Sequence, residues 1–295
     1  MLAQKVALVS GTSSGIGLRT SVQLVKAGFL VVATMRDLTK RSALDTAAAE
    51  AGVTVDVRAL DVQSDESVAA GVAGVLERYG RIDLLVNNAG AGFLGTFEQT
   101  SMADAQRVFD INYFGVVRLT KAVLPSMREA RTGRIVTVTS VGGVMGQAFN
   151  DHYCGAKAAV ENMFESLAPV VQRFGIHCSL IEPGPVRTEF VANVEASVGS
   201  AAAAAATGAA AASSKIDADY APMLASYRAA VATAYDQYGQ SADEVAQVIV
   251  EAATADKPHF RYPTSQLMHS LIGAKYTDTT GDKCLAIAGA RLPPL

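Results

Sequence analysis

The chain has 295 residues, half of them hydrophobic, with 25 Lys+Arg against 28 Asp+Glu for a formal charge of -3. That length allows one large domain with a substantial core, and the absence of long like-charge runs argues against nucleic acid or an anionic membrane as partner. Cys154, Cys178 and Cys284 are too few and too irregularly spaced for a disulfide framework or a zinc site, so we expect a cytoplasmic protein with no bound metal and no membrane span.

Short β-rich runs alternate with longer stretches of helical periodicity, which predicts repeated strand-helix units around a parallel sheet. The first strand is expected at Val6 to Ser10. Gly11-Thr12-Ser13-Ser14-Gly15-Ile16-Gly17 follows it directly and opens a helix from Gly15 to Ala27. Glycines at that junction let a backbone approach a pyrophosphate, and the helix N-terminus offers free amides and its positive dipole end. A second strand is expected from Phe29 to Thr34 and ends in Met35-Arg36-Asp37. An acid at this place favours the ribose 2'-hydroxyl of NAD, and a base favours the 2'-phosphate of NADP. Arg36, with the Ser13 hydroxyl, suits the phosphate, and NADP(H) is the preferred reading. The other reading leaves Arg36 in solvent and gives the ribose to Asp37, so NAD(H) stays open.

A helix from Thr39 to Ala51, a strand from Thr54 to Leu60, a helix from Ser64 to Tyr79 and a strand from Leu84 to Asn87 continue the alternation. One helix is then expected from Met102 to Arg128, bent or ended by Pro125. Strands at Arg134 to Thr139 and His177 to Glu182, helices at His152 to Phe174 and Ala242 to Ala253, and a short strand near His259 to Tyr262 complete the pattern. Most strands are apolar throughout, so helices should cover both sheet faces. The expected fold is α/β, a single doubly wound domain with six or seven parallel strands. Residues 196 to 214 depart from this pattern as a broken alanine tract, which can bury little side chain and is expected to be a mobile insertion or lid.

Tyr153 and Lys157 stand four apart in the helix from His152, so they share a face. A tyrosine alone is a poor acid-base group at neutral pH, and a neighbouring ammonium lowers its pKa. Ser140, thirteen residues earlier at a strand end, can reach a substrate oxygen beside the phenol. Asn112 lies in a helix and can bind a water or a backbone carbonyl.

The glycine turn, Asn87-Asn88-Ala89-Gly90, Asn112, Ser140, Tyr153-x-x-x-Lys157 and Pro183-Gly184-Pro185-Val186-Arg187-Thr188 together resemble the short-chain dehydrogenase/reductase family over about residues 5 to 262. Ala33 to Leu38, Ser140 to Gly146, Phe149 to Cys154 and Ser179 to Glu182 are similar to the 17-beta-hydroxysteroid dehydrogenase type 1 and retinol dehydrogenase-like group. This resemblance implies a Rossmann-type fold and hydride transfer between nicotinamide and a ketone, aldehyde or alcohol. Tyr153 would protonate the carbonyl oxygen, Ser140 would hydrogen-bond it, and Lys157 would hold the nicotinamide ribose and lower the tyrosine pKa. Asn112 would anchor a proton-relaying water. Gly11, Ser13, Ser14, Gly15, Ile16 and Gly17 would take the pyrophosphate. Asp61 and Val62 would flank adenine, Asn88, Ala89 and Gly90 would line the cofactor, and Pro183, Gly184, Val186 and Thr188 would meet the nicotinamide end.

A substrate lid over about 187–242 and the C-terminal tail would choose the substrate. Retinol- and steroid-like, polyketide or aryl carbonyls are the preferred class, with Phe93, Met145, Phe149, Phe190, Met223 and Tyr227 as candidate walls. The histidine used by the steroid enzyme's lid has no counterpart between His177 and His259, so estrogen is not supported. A 3-oxoacyl-thioester reductase is the first alternative, with Arg187, Arg228 and Lys215 as the candidate carrier-docking bases. A non-catalytic dinucleotide sensor is the second. The family also implies a homodimer or homotetramer through the helices from Met102 and His152.

Overall fold

The computed structural model describes residues 4–190 and 210–293, the side chains of 210–217 excepted. Strands β1 (Val6–Ser10), β2 (Leu30–Met35), β3 (Asp56–Ala59), β4 (Leu84–Asn87), β5 (Gly133–Val138), β6 (Ile176–Glu182), β7 (Val186–Arg187), β8 (Gln240–Ser241) and β9 (Arg261–Pro263) alternate with helices. The helices are α1 (Gly15–Lys26), α2 (Ser42–Glu50), α3 (Asp65–Tyr79), α4 (Met102–Phe109), α5 (Gly115–Ala130), α6 (Val141–Val144), α7 (Asp151–Val171), α8 (Ala210–Tyr238), α9 (Ala242–Thr254), α10 (Gln266–Thr277) and α11 (Asp282–Gly289). Seven strands form one parallel sheet in the order β3-β2-β1-β4-β5-β6-β9, and β7 and β8 pair separately. The order reverses direction at β1, where the chain crosses from one half of the sheet to the other. An open parallel sheet places its binding crevice at such a reversal, beyond the strands' C-terminal ends.

All five residues of β1 are buried, because both faces of the strand are covered. Ala7 and Val9 join Leu18, Val22, Val245 and Ile249 in one apolar cluster, carried by α1 and α9. Val6 and Leu8 face the opposite way, toward Val72, Leu119 and Phe164 of α3, α5 and α7. The two-residue period of a strand divides the core into these two layers. Central strands with both faces buried read as unbroken apolar runs, which is what made them legible in sequence.

The helix expected from Met102 to Arg128 is divided. A π-helical turn, Asp110–Phe114, joins α4 to α5. The wider turn carries Asn112, whose Nδ2 donates to the Val108 carbonyl at 3.0 Å. Pro125 does not end the helix, which runs on to Ala130. Its missing N–H costs one backbone bond, and the apolar stripe of Leu119, Val123 and Met127, all fully buried, holds the helix across that gap.

Two helices beyond Tyr262 were not expected. In α10, Leu267, Met268, Leu271 and Ile272 pack with Val141 and Val144 beneath the active end of the sheet. Their spacing of one, three and four is the helical signal that could have revealed them. The alanine-rich insertion at 196–214 lies outside the described residues as far as 209, and from Ala210 the chain is helical. Among the described residues no helix is long and apolar enough to cross a membrane.

Phe164 is completely inaccessible in the α7 layer. Phe164→Ala should therefore cost about 3–5 kcal/mol in urea unfolding. A loss below about 1 kcal/mol would contradict this packing.

Candidate active site

The chain leaves β1 through Gly11 at φ 70° and Gly15 at φ 55°, both in the left-handed region that favours glycine. A Cβ on Gly11 would stand 2.7 Å from the Ala89 Cα, so this turn meets the loop after β4 backbone to backbone. A Cβ on Gly17 would run into Asn88 Nδ2 and the Gly11 carbonyl. Asn88 Nδ2 donates to the carbonyls of Ser10 at 2.9 Å and Gly11 at 2.8 Å. Ser10 Oγ in turn accepts the backbone N–H groups of Asn88 and Ala89, each at 3.1 Å. The Ser14 side chain makes no cap bond at the start of α1, so the first-turn amides stay available to an anion. The glycine cradle and its free donors fit a dinucleotide pyrophosphate.

At the end of β2, Asp37 spends its carboxylate locally. It accepts from Thr39 N at 2.9 Å and from Thr39 Oγ1 at 2.6 Å, which with the nearby Lys40 and Arg36 holds its pKa below the ordinary value. Arg36 is exposed and has no hydrogen-bond or ion-pair partner among the described residues. Asp61 is half-buried and accepts from Gln63 N at 3.0 Å. Val62 turns its side chain into the core, where a Cβ on Gly115 would lie 2.9 Å from Val62 Cγ2. Ile16 likewise packs against the core, leaving its backbone as the part that faces the crevice.

The catalytic candidates converge at the ends of β4, β5 and β6. Ser140 begins α6, and its Oγ accepts from Gly142 N at 3.0 Å. A Cβ on Gly142 would lie 3.4 Å from Ser140 Oγ and 3.5 Å from Tyr153 Cε1, so the hydroxyl and the phenol ring face one gap. Lys157 sits one turn along α7, 4% exposed, and donates from Nζ to the Val138 carbonyl at 3.0 Å. Its Nζ lies 5.9 Å from the centre of the Tyr153 ring. Burial pushes the Lys157 pKa down to about 8, against the opposing charge of Glu161. Burial also raises the Tyr153 phenol well above its usual value, with only Ser140 drawing it back. In this geometry, then, desolvation outweighs the lowering that was expected of Lys157, and the phenol is held in its protonated, donating form.

Asn112 is fully buried, and backbone groups engage its side chain. Nδ2 donates to Ala91 O at 2.9 Å as well as to Val108, and Oδ1 accepts from Ala91 N at 3.2 Å. A Cβ on Gly90 would approach Asn112 Oδ1 to 2.9 Å and Lys157 Nζ to 3.5 Å, so Gly90 is the gap through which these groups face one another. Pro183 O accepts from Val141 N at 2.9 Å and fixes the loop after β6 beside Ser140. Gly184 lies against Met268, Val186 is buried, and Thr188 stands close enough that a Cβ on Gly15 would be 3.2 Å from its Cγ2. The loops after β1, β4 and β6 therefore close on one crevice.

On the open side of the phenol, Phe190 lies 5.9 Å from the Tyr153 ring centre. Phe149, Leu94 and Tyr227 form a buried cluster joined by Met223, Leu224 and Tyr220. Phe93 packs against Val108 and Ala156 at the edge of Tyr153, and Met145 is buried. Sequence reasoning missed Leu94, Tyr220 and the hydrogen bond from Asn150 Nδ2 to Tyr227 Oη at 2.9 Å. Asn150 precedes the Tyr153 turn directly, and that adjacency was the available signal.

The family model described as short chain dehydrogenase matches residues 5–199. Retinol dehydrogenase 8 of Bos taurus is 44% identical over 284 residues, covering 95% of this chain and 87% of its own. Human 17-beta-hydroxysteroid dehydrogenase type 1 is 37% identical over 286 residues, covering 95% and 83%. Among solved structures, a single-residue variant of actinorhodin polyketide ketoreductase with NADPH superposes with a TM-score of 0.71 at 30% identity, covering 88% of this chain and 95% of that one.

The cradle makes a direct prediction. Gly17→Ala should weaken binding of a nicotinamide dinucleotide at least tenfold, about 1.4 kcal/mol, by fluorescence titration. Unchanged affinity would mean that the turn does not approach the phosphates.

Proposed function

This chain belongs to the short-chain dehydrogenase family, and on that footing we propose that it is an NADP(H)-dependent oxidoreductase that interconverts a bulky apolar ketone or aldehyde and its alcohol. The observation that carries this reading is the Tyr153 phenol ring, beside Ser140 at Gly142 and one helical turn before the buried Lys157. The nicotinamide supplies the hydride in reduction and accepts it in oxidation.

Tyr153, with its raised pKa, donates its proton to the carbonyl oxygen as the alcohol forms. Ser140 hydrogen-bonds the same oxygen and fixes its distance from the phenol. Lys157 holds the ribose hydroxyls from beneath, and Asn112 fixes the Ala91 backbone beside Gly90, where a relaying water would stand. Gly11, Ser13, Ser14, Gly15 and the first-turn amides of Ile16 and Gly17 hold the pyrophosphate. Asn88, Ala89 and Gly90 line the ribose side. Pro183, Gly184, Val186 and Thr188 meet the carboxamide, and Asp61 with the Val62 backbone flanks adenine.

The preference for NADP(H) rests on Arg36, which is exposed and uncommitted, while Asp37 is taken up by Thr39. The aromatic cluster around Phe149 and Tyr227, with Phe190, forms the described part of the substrate side. Its apolar character, together with relatives named for retinol and for a hydroxysteroid, supports a bulky hydrophobic substrate. A carrier-bound acyl thioester is the alternative, and the exposed Arg187, whose Nη2 donates to the Asp236 carbonyl at 3.0 Å, is its candidate docking base among the described side chains together with Arg228. A cytoplasmic homodimer or homotetramer built through α4, α5 and α7 completes the reading.

NADPH oxidation at 340 nm with retinoid, steroid, aryl and acyl-thioester carbonyls, and NADH in parallel, tests this. Wild type should reduce a bulky carbonyl with NADPH, and Tyr153→Phe should lose at least a hundredfold in kcat. NADPH binding without turnover on any carbonyl would favour a dinucleotide sensor instead.

The pH dependence follows from the two neighbouring groups. Below about 8 both the Tyr153 proton and the Lys157 ammonium are present, and the ammonium is lost as pH rises through that value. We expect kcat/KM for reduction to be level from pH 6 to 7.5 and to fall above about 8. A profile level to pH 10 would remove the Lys157 charge from the mechanism.

A further inference from the structure

Among the described residues β3 is an edge of the sheet and pairs with β2 alone, so the loop that leaves it has a strand neighbour on one side only. That loop carries Asp61 and Val62, and Arg118 of α5 fastens it to the π-helical turn Asp110–Phe114. Arg118 Nη1 donates to the Val62 carbonyl at 3.2 Å, Nε donates to Asp65 Oδ1 at 2.6 Å, and Nη2 donates to Asp110 Oδ1 at 2.7 Å. The second oxygen of Asp110 accepts from Gln63 Nε2 at 3.0 Å. Loop and turn are thus joined twice, through the guanidinium and through the glutamine amide. The Asp65 side chain is 85% exposed, so its pair with Arg118 contributes little, and the half-buried contacts to Val62 and Asp110 set the geometry.

Local bonds finish the shape of the loop. The Asp61 N–H donates to Ser67 Oγ at 2.9 Å, the Asp61 carbonyl accepts from Ser64 N at 3.2 Å, and Asp61 Oδ1 accepts from Gln63 N at 3.0 Å. With the Val62 side chain in the core and its carbonyl on Arg118, Asp61 Oδ2 and the Val62 N–H are left without a hydrogen-bond partner among the described residues. One accepts and the other donates, from adjacent residues. The edge of adenine asks for such a pair, since it presents an exocyclic amino donor beside a ring-nitrogen acceptor. We propose that Arg118 is a positioning residue for the adenine end of the cofactor, which it serves by pinning the Val62 carbonyl to Asp110 and so fixing the Asp61 carboxylate and the Val62 N–H. This rests on the functional reading given above, which puts adenine at Asp61 and Val62.

The chemistry of the side chain supports this assignment. A guanidinium presents its N–H groups in a fixed planar fork, so one arginine holds three acceptors from three segments at set angles. An ammonium would keep the charge and lose the fork. The Asp110 that receives Arg118 also opens the turn that carries Asn112, so the loop at Asp61 and the site asparagine hang on one short segment. A purely structural clamp would make the same contacts, but its loss would loosen that turn and weaken the nicotinamide end as much as the adenine end.

The experiment compares two ligands by fluorescence titration, namely whichever of NADPH and NADH wild type binds more tightly, and reduced nicotinamide mononucleotide, which lacks adenosine. Arg118→Met should weaken the dinucleotide about tenfold and leave the mononucleotide within about twofold. Arg118→Lys should not recover the loss, and full recovery by lysine would reduce the effect to charge and overturn the proposal. Equal loss for both ligands, or unchanged dinucleotide affinity, overturns it as well. If Arg118→Met does not fold, Asp110→Ala decides, with the same selective loss expected and either no loss or an equal loss against the proposal. In turnover, KM for the dinucleotide should rise in Arg118→Met while kcat at saturation stays within about twofold. Asp61→Ala separates this proposal from the reading beneath it. Weaker dinucleotide binding in Asp61→Ala with none in Arg118→Met sinks the clamp alone, whereas unchanged binding in Asp61→Ala removes adenine from this loop and the clamp with it.

Discussion

The close approach of the loop after β1 to the loop after β4 is the constraint on which the rest of the site depends. Ser10 and Asn88 fasten these loops by exchanging side chain for backbone in both directions. Gly11, Gly17 and Gly90 are glycines because the space that a Cβ would need is already occupied by Ala89, by Asn88 and by Asn112. Binding and catalysis are thereby joined mechanically. The glycine turn proposed to cradle phosphate packs on Ala89, the neighbour of Gly90, and Gly90 is the gap across which Asn112 faces Lys157.

Behind this surface, charge is arranged in depth. Tyr153 is held protonated by burial, and the same burial lowers the Lys157 pKa to about 8, with Glu161 opposing it. Arg261 of β9 donates to Glu161 of α7 and to Glu182 of β6, and such a triad is weak evidence for stability, because a well-packed apolar cluster does as well in many proteins. The helix thus serves twice, with the Tyr153 and Lys157 turn toward the crevice and Glu161 toward β6 and β9.

Much of this was legible in the sequence, for identifiable reasons. The central strands are buried on two faces, so they are apolar throughout, and the glycine turn announces itself by following one of them. Asn112, Ser140, Tyr153 and Lys157 could be named because, in order and spacing with the glycine turn, they resemble the motifs of one family; alone, Asn112 reads as a tolerated polar residue in a helix. The π turn at Asp110–Phe114 could not be seen, because its residues have ordinary helical periodicity and the extra residue per turn is a matter of tertiary fit. Glu161 and Glu182 were invisible as a pair, since an acid in a helix reads as a solvated surface residue until a strand is seen to bring Arg261 against it. The orientation of Val62 was hidden for the same reason, because the adjoining Gly115 belongs to another element.

Phe149 has a φ of 59°, a left-handed backbone uncommon for a bulky residue, and it stands immediately before the N-cap of α7. The penalty, on the order of 1–3 kcal/mol, is local, whereas its compensation is distant. The ring packs on Tyr227 at 5.6 Å between centres, and Asn150 bonds a residue 77 positions further on. The loop that delivers the Tyr153 turn is therefore not a product of its own sequence neighbourhood. Loop-closure entropy must be met before these contacts form, so this geometry belongs to the long-range stage of folding and its local stability is shared with α8. In amide exchange, the first turn of α7 would report on the packing of α8, a helix more than fifty residues away in sequence.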